Sequence, residues 1–229
     1  MESMHLTPRL ALAASFVPEG ARLADIGTDH GKLPVSLLLS GRVRAAFGSD
    51  IRPGPLAHAA RNAREHGVTL PLRLAPGLDG VTPEECDTIT IAGMGGETIA
   101  GILRQAPWAL DGGHLLILQA MTMLPMLRCW LAENGCVIEA ERICREGRKF
   151  YVVTLARGGG SPWQLSPLDS TAPAWLSTDP LARDYFTHLL RREEAMLHGL
   201  EKSRAPEPEA LEIQRRLVNG LRARMEGIK

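Results

Sequence analysis

Between residues 22 and 155 the chain alternates short apolar runs with stretches of helical periodicity, and glycine-rich turns separate several of them. Such alternation restricts a chain to largely parallel strands joined by helical crossovers, a doubly wound α/β sheet with helices on both faces. Strands are expected over 22–26, 45–50, 71–74, 87–91 and 114–118, and helices over 32–39, 53–66, 97–105 and 124–134. Pro53 and Pro55 suit a first helical turn; Gly67 and Gly135 suit helix ends. Two further runs, 137–143 and 150–155, flank the polar turn 145–148 and predict an antiparallel hairpin.

Composition shifts after Ala156. A Gly-, Pro- and Ser-rich stretch reads as a linker over 158–179, which divides a first domain, 1–157, from a tail, 180–229. The tail predicts a helix over 181–204, with Leu189, Met196 and Leu200 near one face, broken by Pro206 and Pro208. Leu211, Val218 and Met225 then recur every seven residues beside Leu217 and Leu221. Two such helices make an antiparallel, coiled-coil-like hairpin.

Lys plus Arg and Asp plus Glu number 26 each, so the chain cannot be a uniformly basic nucleic-acid binder; a polyanion must be held by a local patch. Aromatics are 4 %, too few for recognition of single strands chiefly by stacking. Basic clusters occur at Arg142/Arg145/Arg148/Lys149 and at Arg215/Arg216 and Arg222/Arg224. The four cysteines match no metal-site spacing and read as reduced, structural thiols. No metal site is expected. No apolar run reaches 18 residues, so neither a membrane span nor export is expected, and the cytoplasm is the expected compartment. Oligomeric state is left open, with a monomer favoured.

Five elements carry the chemistry. Asp25-Ile-Gly-Thr-Asp-His-Gly31 follows a strand and precedes a helix, the context of a nucleotide loop. Gly27 and Gly31 allow close backbone approach, and His30 lies inside the loop. The spacing is not Gly-x-Gly-x-x-Gly, and a carboxylate at Asp25 suits a cationic amino group rather than a pyrophosphate, which disfavours a nicotinamide cofactor. Asp50 ends the second strand, where a carboxylate can accept both ribose hydroxyls of a nucleoside or can cap the next helix. Ala75-Pro-Gly-Leu-Asp79 is a turn where an adenine ring would lie. In Ile91-Ala-Gly-Met-Gly-Gly96 three glycines expose backbone that can hold a planar base, with Met94 against its face. Gln119, after the fifth strand, offers a donor and an acceptor to the same crevice or caps the next helix. No nucleophile elbow or phosphate-binding Gly-Lys-Ser/Thr motif supports a hydrolase or NTPase.

Taken in order, Asp25-Ile-Gly-Thr-Asp-His-Gly-Lys-Leu-Pro34, Gly54-Pro-Leu56, Ile91–Gly96, Leu116-Ile-Leu-Gln119, Leu127–Leu131 with Asn134-Gly135, and Glu146-Gly-Arg-Lys-Phe-Tyr151 resemble a known family. It is that of the bacterial tRNA (adenine-N1)-methyltransferases acting on the D-arm adenine at tRNA position 22. The resemblance spans roughly residues 5–156. The sequence departs from the family at Pro76, where Gly-Asp-Gly-Leu is usual, and at Ala120, where a proline follows Leu-Gln.

The resemblance implies a Rossmann-like class I methyltransferase core: a mostly parallel seven-stranded sheet whose last strand is antiparallel, followed by the helical hairpin. It implies S-adenosyl-L-methionine (SAM) as cofactor, held by Asp25, Gly27, Thr28, His30, Gly31, Asp50, Ile51, Gly77, Leu78, Ala92 and Gly93. It implies tRNA as partner, with Met94, Gly95 and Gly96 at the target base and Arg215, Arg216, Arg222 and Arg224 gripping phosphates. Asp29 and Gln119 are the expected catalytic pair, Asp29 holding the adenine amino group and offsetting the product cation. Neutral net charge leaves room for a methyltransferase acting on a protein or small molecule, or for a non-catalytic SAM-binding module.

Overall fold

A computed structural model describes residues 4–203 and 207–228. The chain forms two compact units, Met1–Trp163 and Gln164–Lys229. The first contains α1 (Pro8–Phe16), β1 (Ala21–Ile26), α2 (Lys32–Leu39), β2 (Val43–Asp50), α3 (Pro53–Glu65), β3 (Leu72–Leu74), β4 (Thr88–Gly95), α4 (Gly96–Gln105), β5 (Leu115–Thr122), α5 (Leu124–Glu133), β6 (Val137–Glu146) and β7 (Lys149–Arg157). Its seven strands form one sheet in the order β3-β2-β1-β4-β5-β7-β6. The first five strands pair in parallel; β7 runs antiparallel to both β5 and β6.

Side-chain alternation along the strands feeds two apolar clusters, one on each face. Leu116 and Leu118 of β5 join Ile89, Ile91, Ile99 and Leu127 under α4 and α5. Ile117, between them in sequence, joins Leu23, Val153, Ala13 and Leu33 under α1 and α2. Both faces of the central strands are therefore buried, which is why they read as continuous apolar runs.

Four expectations are corrected. Helix α1 was not foreseen. β4 and β5 each extend four residues beyond the apolar runs that announce them. The parallel ladder continues through Ala92↔Gln119, Met94↔Ala120 and Gly95↔Thr122, with irregular register at the glycines. Gln119 thus lies within β5, and the residue that caps α5 is Met123. Segment 158–179 is not plain linker: it holds α6 (Pro167–Thr171) and a 3-10 turn, Ala174–Thr178, and the two units divide between Trp163 and Gln164.

The second unit continues with α7 (Ala182–Glu201) and α8 (Pro208–Glu226), which pack on each other. Phe186, Leu189, Leu217, Val218 and Leu221 are buried, whereas Met196 is exposed, against expectation. Buried Gln214 donates to the carbonyl and carboxylate of buried Glu193 at 3.0 and 2.9 Å, pinning the register of the two helices. Pro208 starts α8; Arg204 and Pro206 lie outside the described residues.

Candidate functional site

Beyond the carboxyl ends of β1, β2 and β4 lies a cleft of about 850 Å³. Strand order reverses between β1 and β4, and open α/β sheets bind ligands in that crevice. The β1–α2 loop forms one wall. Within it Gly27 (φ +71°), Asp29 (φ +52°) and Gly31 (φ +67°) all adopt the left-handed conformation. A Cβ on Gly27 would meet only the flexible end of the Met94 side chain, so it is the left-handed φ of +71° that favours glycine there.

Asp25 organises this wall. The Thr28 hydroxyl donates to one carboxylate oxygen and the Thr90 hydroxyl to the other, both at 2.6 Å. Burial raises its pKa above the ordinary carboxylate value, and the two hydroxyls offset only part of that. A ligand ammonium group would favour the charged form. Asp50 is buried at the end of β2; one oxygen accepts from the Arg52 backbone N–H at 2.9 Å, and the other has no hydrogen bond among the described residues. A buried, half-occupied carboxylate is what two ribose hydroxyls would complete. Asp29 projects its carboxylate into solvent at the cleft wall, 3.7 Å from His30 Nε2, and the His30 ring stacks on His58.

Of the residues expected from sequence, Asp25, Gly27, Thr28, Asp29, His30, Asp50, Ile51, Gly77, Ala92, Gly93 and Met94 line the cleft. Gly31, Leu78, Gly95, Gly96 and Gln119 do not. Gly31 caps α2, where a Cβ would meet Ala59 Cβ at 2.9 Å. Leu78 fills the core beside α4. Gly95 and Gly96 let α4 start close to β5: a Cβ on Gly96 would lie 2.6 Å from the Met123 carbonyl oxygen. Gln119 is fully buried, and its side-chain oxygen accepts from the Gly93 N–H at 3.0 Å and from Arg9 Nη1 at 2.8 Å. Through these two bonds it holds the cleft wall in place, and it caps no helix.

Thr7, Leu10, Lys32, Arg52 and Thr98 line the cleft without having been expected to, and so does Arg9. Its backbone N–H donates to Glu146 at 2.9 Å, and its guanidinium lies 5.9 Å from the centre of the Tyr151 ring. Thr7-Pro8 before an apolar run is a helix-start signature that could have announced α1. Pro76 also lines the cleft.

The four tail arginines are engaged within their own unit. Arg215 pairs with Glu201, Arg216 with Glu212, Arg222 with Glu194, and Arg224 with Asp169 and the Ala172 carbonyl. All four cysteines are free; burial pushes the Cys86 thiol up to about 12 and that of Cys136 to about 11. Among the described residues no cluster of three or more His, Cys, Asp or Glu could hold a metal ion, and no helix is long and apolar enough to cross a membrane.

A methyltransferase-domain family model matches residues 6–154, from just before α1 into β7. The Bacillus subtilis tRNA (adenine(22)-N(1))-methyltransferase is 36 % identical over 161 residues, 69 % of this chain and 68 % of the relative. The crystal structure of the B. subtilis m1A22 tRNA methyltransferase TrmK covers 97 % of both chains at 28 % identity, with a TM-score of 0.79. A Streptococcus pneumoniae protein assigned as a tRNA (m1A22) methyltransferase, crystallised with SAM, is 30 % identical; the match covers 96 % of this chain and all of that one, with a TM-score of 0.83. On the strength of this cleft and of these likenesses, the chain belongs to the tRNA (adenine(22)-N(1))-methyltransferase family.

Proposed function

We propose that this chain transfers a methyl group from SAM to N1 of the D-arm adenine at position 22 of tRNA, in the cytoplasm. The observation that carries the reading is the pairing, in one cleft, of a buried ribose-type carboxylate, Asp50, with a left-handed glycine loop anchored on Asp25. These features fit SAM. Asp25 takes its ammonium group, Asp50 its ribose, and the Ala75–Gly77 turn its adenine. Bound there, SAM supplies an electrophilic methyl group on a sulfonium, which the adenine N1 lone pair takes up.

The chain's own part is positioning and electrostatics. N1 needs no strong base, because its lone pair is free when the base is unpaired. N1 lies on the Watson–Crick edge, so the base must leave the stack, and Gly93 and Met94 offer it an edge and a face. Asp29 accepts from the adenine amino group and offsets the positive charge that accumulates on the ring. Gln119 fixes Gly93 in place through its buried oxygen. Reverse transcription of an unmodified tRNA transcript after incubation with protein and SAM tests the reading: a new stop at the D-arm adenine supports it, and read-through at full protein occupancy contradicts it.

A further inference from the structure

We propose that the tip of the β6–β7 hairpin holds the phosphate backbone of the tRNA next to the flipped adenine; this rests on the tRNA reading above. Residues 142–149 carry four cations and one carboxylate. That carboxylate, Glu146, is committed to the Arg9 backbone N–H. Arg145, Arg148 and Lys149 are exposed, and among the described residues none of them pairs with a carboxylate: Arg145 donates to the Gly147 carbonyl and lies against Phe150. The tail arginines contrast with them, each spending its charge on a carboxylate. Phosphate affinity comes from cations whose charge is available to release counterions.

The hairpin is joined to the cleft. Glu146 pairs across the strands with Lys149, and Cys144 with Tyr151, so Glu146, Lys149 and Tyr151 share one face of the sheet. On that face Glu146 binds the start of α1, and the Tyr151 ring lies beside the Arg9 guanidinium, which lines the cleft next to Gly93. Arg9, with no carboxylate on its guanidinium among the described residues, sits at the cleft end of this face, Lys149 at its hairpin end and Arg148 in the turn beyond, a row of cations from cleft to tip. A strand whose base enters the cleft would lay its phosphates along this row.

The test measures tRNA affinity against salt concentration for the wild-type chain, for Arg148→Glu/Lys149→Glu, for the milder Arg148→Gln/Lys149→Gln, and for Arg215→Glu/Arg216→Glu in the tail. SAM affinity and melting temperature report on folding of each. The inference expects the hairpin reversal to raise the tRNA Kd at least about tenfold, both hairpin variants to flatten the log–log salt slope by about two, and the tail reversal to change the slope less. A folded hairpin variant with wild-type Kd and slope overturns it, provided that the wild-type chain methylates the same tRNA. A wild-type chain that neither binds nor methylates tRNA removes the tRNA reading, and this inference with it.

Discussion

The Arg9 guanidinium donates to the side-chain oxygen of Gln119 at 2.8 Å, joining two residues 110 positions apart. The same oxygen accepts from the Gly93 backbone, so one buried amide ties the first turn of α1 to the carboxyl end of β4. The cleft wall is built by that junction, from a helix, a glycine strand end and a buried side chain.

Replacing Gln119 by Leu keeps the volume and strands two donors. A buried unpaired donor costs about 1–3 kcal/mol, so Gln119→Leu lowers the melting temperature by several degrees. It also lowers kcat more than Gln119→Glu, which retains an acceptor for Arg9 and Gly93. Equal kcat in the two variants contradicts a positioning role through this oxygen.

Asp25 links stability to pH. Its folded-state pKa is raised above 3.8 by burial, so the folded state binds the proton more tightly than the unfolded chain. The stabilisation from this proton is present below the unfolded value and lost as pH rises through the folded one. Asp25→Asn, which carries no charge to bury, should therefore melt at or above the wild-type temperature at pH 7, with its advantage shrinking as pH falls through the folded-state value. SAM affinity should fall about tenfold or more in the variant, since a charge-assisted contact is lost. Denaturation scans and calorimetric titration measure both.

Asp29 divides binding from chemistry. Asn tolerates its left-handed backbone, whereas Ala adds strain of about 1 kcal/mol. Asp29→Asn should slow methyl transfer by about 10²-fold while SAM Kd changes by less than about threefold, with Asp29→Ala following the same split at lower stability. Parallel loss of rate and SAM affinity would reduce Asp29 to a SAM contact.

Two glycines of α4 should respond oppositely to alanine. Gly96→Ala forces a Cβ to 2.6 Å from a backbone oxygen and should cost about 1–3 kcal/mol, because the Met123 carbonyl cannot turn aside. Gly101→Ala meets nothing within 4 Å in mid-helix and should gain about 0.5–1 kcal/mol. Thermal unfolding of the pair checks the close α4–β5 packing.

Strands and crossover helices were legible because strands buried on both faces carry nearly unbroken apolar runs. The ends of β4 and β5 were not, since glycine is read as a breaker while neighbouring strands can still hydrogen-bond its backbone. The place of Asp25, Asp50 and the glycine loop in the cleft was legible from their position at the carboxyl ends of strands. The burial of the Leu78 side chain in the core was not legible, because an apolar residue in a loop is as fit for a core as for a ligand. The roles of Gln119 and Arg9 depend on a contact between distant segments, and no local pattern announces it. The tail arginines looked available because their carboxylates lie on other turns and helices.

The central claim is a reaction at one atom of one base. The most direct measurement is methyl transfer from labelled SAM to an unmodified tRNA transcript, beside a twin carrying G in place of the D-arm adenine. The account predicts label in the first transcript alone, recovered as N1-methyladenosine. Label in both transcripts, or in neither while SAM binds, would contradict it.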